Sequence, residues 1–74
     1  MDWKKIKTNL WKNDELFLEI KKVNFSYEKP AHNVVIYDSS IKSLENSLGK
    51  VVVVKHLGKK SEALKFAREY MRNN

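Results

Sequence analysis

Histidine is the side chain best suited to acid–base or metal chemistry near neutral pH. This chain has two, His32 and His56, each at or inside an expected strand. A metal site needs further imidazole, thiolate or carboxylate ligands close by. The sequence holds no tight His/Asp/Glu cluster, so no metal is expected. Cysteine is absent, which excludes thiol catalysis, Cys-based zinc sites and disulfides. The serines (Ser26, Ser39, Ser40, Ser43, Ser47 and Ser61) fall in expected turns or at helix edges, without a G-x-S-x-G elbow. Phosphate-cradling loops need several glycines together. Gly49 and Gly58 stand alone, at opposite ends of one expected strand. Asp14, Glu15 and Glu19 lie among polar and basic neighbours and read as solvated surface. No catalytic residue, cofactor or small-molecule substrate is expected, and the chain does not read as an enzyme.

Lysines interleaved with aromatics are the more suggestive pattern. Fifteen basic and nine acidic residues give a formal net charge of +6, and positive charge favours polyanions, nucleic acid above all. Only Arg68 and Arg72 are arginines, so the planar fork that reads guanine edges is scarce. Trp3 and Trp11 are flanked by Lys4, Lys5, Lys7 and Lys12. A sheet face that carries lysines and exposed aromatics can track a phosphate backbone or stack on bases. The candidate contacts to DNA or RNA are Lys5, Lys7, Trp11, Lys21, Lys22, Tyr27, Lys55 and Lys59. Phe17 and Phe66 are expected in the domain's own core.

The elements that would hold these residues are few. With 74 residues the chain is one domain with a marginal core. Residues 2–12 suit either a short helix, with Trp3, Ile6, Leu10 and Trp11 on one side, or an extended lead-in. Thr8 and Asn9, poor helix formers, and the turn-like Asn13-Asp14 tilt the balance to extended. Leu16, Leu18 and Ile20 alternate with Phe17, Glu19 and Lys21, whereas Val23, Phe25 and Tyr27 keep a period of two on odd positions. That change of parity predicts a bulge or turn at Lys21-Lys22. Glu28 to Ala31 reads as a loop around Pro30. His32 to Tyr37 is the next strand, and Ile41, Leu44 and Leu48 suit a short helix that stops at Gly49. Lys50 to Leu57, with four consecutive valines, is the clearest strand. Being apolar on both faces, it is expected at the centre of the sheet. Ala63, Leu64, Phe66, Ala67, Tyr70 and Met71 form the apolar stripe of a helix over 60–72.

From Val51 to Met71 the order is strand, glycine turn, then Lys-Lys-Ser-Glu-Ala-Leu-Lys-Phe-Ala-Arg-Glu-Tyr-Met. This resembles the last strand and helix of small domains built as a three-stranded antiparallel sheet with one C-terminal helix. Plant AP2-type DNA-binding domains and the arm-binding domains of tyrosine-type integrases share that layout. So do prokaryotic domains that end in a similar Lys-x-Glu-Ala-x-x-x-Ala helix. The resemblance covers under a third of the chain. It implies the layout, and in those families a sheet that reads the major groove with arginines and a tryptophan. Here the matching strands carry Lys21, Lys22 and Lys55 and no arginine, so the resemblance implies architecture more than base readout.

The expected fold is therefore α+β: an antiparallel sheet of three or four strands with the C-terminal helix across one face. Its core is expected from Leu16, Leu18, Ile20, Val34, Ile36, Val51, Val53, Leu64, Ala67 and Met71. Val52 and Val54 then need a second cover, from the Trp3–Trp11 segment and the Ile41–Leu48 turn or from another copy of the chain. Two functions follow: a basic, non-catalytic domain that sets a lysine-rich sheet face on DNA or RNA, or a module that homodimerises or docks a protein through the uncovered face. Both presume that the valine strand is central. The longest apolar run, Val51 to Val54, is far short of a membrane span. Met1-Asp2-Trp3-Lys4-Lys5 does not open a signal peptide, so a cytoplasmic location is expected.

Overall fold

A computed structural model describes residues 3–23 and 31–74. Five strands form one antiparallel sheet in chain order: β1 (Lys4–Lys7), β2 (Leu10–Lys12), β3 (Leu16–Val23), β4 (Ala31–Asp38) and β5 (Lys50–Leu57). One helix, α1 (Lys60–Asn73), follows and packs on β3, β4 and β5. The sheet thus has five strands where three or four were expected. The extra pair comes from residues 4–12, which fold into a hairpin. Its turn is Thr8-Asn9, and Asn9 takes a φ of +64°, a left-handed conformation that asparagine tolerates better than most residues. The next turn is built by Asn13, whose Oδ1 accepts hydrogen bonds from the Glu15 and Leu16 amides at 2.9 and 2.7 Å.

Directly opposed residues of an antiparallel sheet share a face, so the register sorts the side chains. On the helix side one row runs Lys5, Trp11, Leu18, Ile36, Val53. The row beside it holds Ile20, Val34 and Lys55. Leu18, Ile20, Val34 and Ile36 meet Ala63 and Ala67 of α1 in the buried core, with Trp3, Trp11, Leu16, Val53, Leu64 and Met71 packed around them. Two alanines at the contact let the helix axis come close to the sheet, and their repeat of four residues keeps both on one face.

The valine strand is the main correction. β5 lies at the margin of the sheet, bonded on one side only. Val51, Val52 and Val54 are 36–47% exposed. The apolar-on-both-faces pattern does mark an inner strand, but that strand is β4, where Val34, Val35, Ile36 and Tyr37 are all buried. Val51 also leaves the expected core. The β4–β5 register slips between Ile36 and Tyr37, so Val53 opposes Ile36 while Val51 opposes Tyr37. This bulge at Val52 puts Val51 and Val53 on opposite faces although they are two residues apart. No bulge occurs at Lys21-Lys22: β3 and β4 pair without interruption from Leu16↔Asp38 to Val23↔Ala31. The parity change simply places Val23 on the face away from the helix. Phe25 and Tyr27, which motivated the expected bulge, lie outside the described residues, as does the loop expected over 28–30. Residues 39–49 form turns and bends with no helix. The Trp3–Trp11 segment packs on the helix side and leaves Val52 and Val54 uncovered.

Candidate nucleic-acid interface

The face away from the helix carries the more distinctive chemistry. Its outermost row crosses all five strands as Lys4, Lys12, Phe17, Tyr37, Val51. With strands about 4.8 Å apart, such a row spans roughly 19 Å. The next row holds Lys7, Leu10, Glu19, Val35 and Val54, and a third holds Lys21, Asn33 and His56. The face is therefore basic at the β1 margin and apolar at the β5 margin. Lys12 places its Nζ 5.4 Å from the centre of the partly exposed Phe17 ring, and Lys21 lies 6.0 Å from that of Tyr37. Ammonium groups over aromatic faces are held by the ring quadrupole, with their remaining protons free for an anion. Lys4 and Lys12 also line an open groove of about 370 Å³ with Ile6, Asn13 and Asp14.

The centre of this face is fixed by a polar triad. The Tyr37 hydroxyl donates to Glu19 Oε1 at 2.8 Å, and Lys21 Nζ lies 3.7 Å from the same oxygen. Burial and the Glu19 hydrogen bond raise the Tyr37 pKa above its ordinary value, so the phenol stays protonated and is no nucleophile. The Lys21 pKa is raised chiefly by the neighbouring Tyr37 hydroxyl. Tyr37 is only 1% exposed, so it offers no surface for a base, and Phe17 is the accessible ring of the row.

The eight residues expected to contact nucleic acid do not share one surface. Lys7 and Lys21 are on the far face. Lys5, Lys22 and Lys55 belong to rows on the helix side, and Lys59 is the N-cap of α1. Trp11 packs against the core with Lys5 over its ring at 5.9 Å. Tyr27 lies outside the described residues. Lys4 and Lys12 were missed because their strands were not recognised. The signal was Thr8-Asn9: a turn pair between two short lysine-bearing runs is a hairpin signature. The histidines serve the fold. His32 Nδ1 donates to the Gly58 carbonyl at 3.1 Å, and His56 Nδ1 to Asn33 Oδ1 at 2.8 Å. Among the described residues, no group of three metal-ligating side chains gathers. Among them, too, no helix is long and apolar enough to cross a membrane.

A third feature sits at the end of this face. Residues 39–49 leave β4 and return to β5, and together with Phe17 they enclose a cleft of about 320 Å³. The segment is tied down at both ends: Ser39 N donates to the Glu15 carbonyl at 2.8 Å, and Lys50 N to the Ile41 carbonyl at 3.0 Å. Two hydrogen bonds from Ser40, one from its amide and one from its hydroxyl, hold the Asp38 carboxylate below its usual pKa. No known protein family, curated protein or solved structure matches this chain.

Proposed function

We propose that the protein is a non-catalytic domain that binds nucleic acid on the sheet face away from its helix, with the β1–β3 half of that face as the phosphate-contacting surface. The observation that carries the reading is the row Lys4, Lys12, Phe17, in which two lysines on paired strands stand on one side of an accessible aromatic ring. Lys7 and Lys21 add positive charge on the next rows, against the carboxylates of Asp14, beside Lys4 and Lys12, and of Glu19, which Tyr37 already engages. Phosphates bound by lysine release condensed cations, so affinity falls with salt. Four such contacts give a slope of log K on log salt of about −3 for a single strand. The test is fluorescence anisotropy of a labelled oligonucleotide between low and moderate salt. Replacing both Lys4 and Lys12 with glutamine should make the slope shallower by about 1.4. Replacing Lys60 and Lys65 of the helix should leave it unchanged. A flat salt response of the wild type would end this reading.

A second reading has its own observation. Val51, Val52 and Val54 stand exposed on a strand that is marginal among the described residues. Among the described residues such an edge has no partner strand, and it is a template for another strand, here a second copy of the chain. This self-association reading requires a dimer in sedimentation equilibrium at micromolar concentration, and a monomer at those concentrations would refute it.

A further inference from the structure

We infer that the cleft between Phe17 and the 39–49 segment takes one unstacked base of a single-stranded nucleic acid. The inference rests on the nucleic-acid reading above and specifies what that surface prefers. The cleft, at about 320 Å³, lies at the lower end of the range of roughly 300–1,000 Å³ typical of small-ligand sites. One wall is the Phe17 ring, which stands on the far face beside Lys12. The lining also includes Ser43, Ser47 and Asn46, whose hydroxyl and amide groups are able to donate to or accept from a base edge. Ser43 keeps donor capacity, because its Oγ only accepts, from the Glu45 amide at 3.2 Å. Lys42 also lines the cleft and Lys12 stands over Phe17, so two cations are available near a base stacked on Phe17. An aromatic platform, polar edge-readers and flanking ammonium groups are the parts by which proteins hold splayed-out single strands. A duplex keeps its bases stacked and presents no free ring face to Phe17.

The experiment compares a fluorescein-labelled oligothymidylate of about twelve nucleotides, within the usual site size of such surfaces, with its duplex on oligodeoxyadenylate and with free thymidine monophosphate. The single strand should bind more tightly than the duplex. Phe17→Leu, which keeps an apolar side chain, should weaken single-strand binding roughly ten- to a hundredfold, the size of one lost base–aromatic stack, and weaken duplex binding far less. Asn46→Ala provides a second variant, in a segment outside the sheet and helix, and should weaken the single strand alone. Amide shifts in an NMR titration should then fall on residues 42–49. Equal binding of both forms, insensitive to Phe17→Leu and Asn46→Ala but weakened by the Lys4 and Lys12 changes, would overturn the base site and leave the phosphate surface standing. If the free nucleotide shifts the same amides as tightly as the oligonucleotide does, the cleft is a mononucleotide site and the strand inference fails. Absence of any salt-sensitive binding would overturn both readings.

Discussion

Replacing Gly49 with alanine should destabilise the protein more than its place in an irregular segment suggests, because Gly49 is buried. Gly49 closes the 39–49 segment with a φ of +119°, beyond the small left-handed region that L-residues visit. A Cβ built there would sit 2.2 Å from the Asp38 carbonyl oxygen, 2.7 Å from its carbon and 2.9 Å from Ser39 Cα. Ordinary carbon contacts need about 3.5 Å, so the backbone must open by roughly 1 Å. All three obstacles are main chain, which cannot rotate away as a side chain would. The Asp38 carbonyl also accepts the Ile41 amide at 3.2 Å, so moving it breaks the first turn of the segment. Strain at such a φ costs about 1–3 kcal/mol, and forced repacking adds about as much. Taking about 3 kcal/mol, the melting temperature should fall by roughly 12–24 °C in a domain of this size. Thermal and urea unfolding followed by circular dichroism measure this directly. Gly58→Ala is the internal control, because nothing lies within 4 Å of its added methyl and its φ is not positive. It should be neutral or gain about 0.4–1 kcal/mol by restricting the unfolded chain. Were Gly49→Ala to melt within about 4 °C of the wild type, corresponding to a change under about 1 kcal/mol, the reasoning from φ and contact would be refuted.

Tyr37→Phe removes a hydrogen bond to a carboxylate and should cost about 1.5–3 kcal/mol at neutral pH. Because the folded Tyr37 pKa is raised above 10.0, the stability it contributes is fully present below pH 10 and lost as pH rises through the folded value; urea midpoints of Lys21→Met and Lys21→Met/Tyr37→Phe should differ at pH 7 and converge above pH 10. Val52→Lys separates the two functional readings by sign, since it adds positive charge beside the far face while breaking the apolar edge. The self-association reading requires the dimer to dissociate in sedimentation equilibrium, whereas the nucleic-acid reading requires equal or tighter oligonucleotide binding, and weaker binding would count against a phosphate surface on this face.

The helix was legible because its apolar stripe needs only local periodicity, and α1 runs one residue past the expected end. His32 to Tyr37 was legible for the same reason, and β4 extends it by one residue at each end. What was not legible was the order of strands. A run of four valines reports β preference and apolar content, but not whether a neighbour lies on both sides. Two-sided apolarity fits a central strand, yet β5 shows the same composition at a margin because a bulge at Val52 redistributes its side chains. That bulge has no signature within Val51 to Val54, since every residue there is the same. The β1–β2 hairpin was hidden because its strands are only four and three residues long, too short for a period of two to emerge. With that hairpin went Lys4 and Lys12, so the basic surface was assigned to lysines that are near in composition but divided between the two faces.

The arrangement also bears on how an exposed valine edge coexists with a basic surface on one sheet. Unprotected edge strands invite pairing with other chains, and natural proteins blunt them with bulges and lysines. β5 carries both devices: the bulge lies at Val52, and Lys50 and Lys55 bracket the valines. In an antiparallel pairing of two copies centred between Val52 and Val53, valine would face valine, but Lys50 of each would face Lys55 of the other. Like charges directly opposed across strands are destabilising, so the symmetric register is penalised at both ends. A polyanion meets no such penalty, because every lysine on the far face contributes with the same sign. The electrostatics of the edge thus oppose self-pairing, while those of the β1 margin favour phosphate. This asymmetry places the nucleic-acid reading ahead of the dimer, on the positions of Lys4, Lys12, Lys50 and Lys55 rather than on net charge.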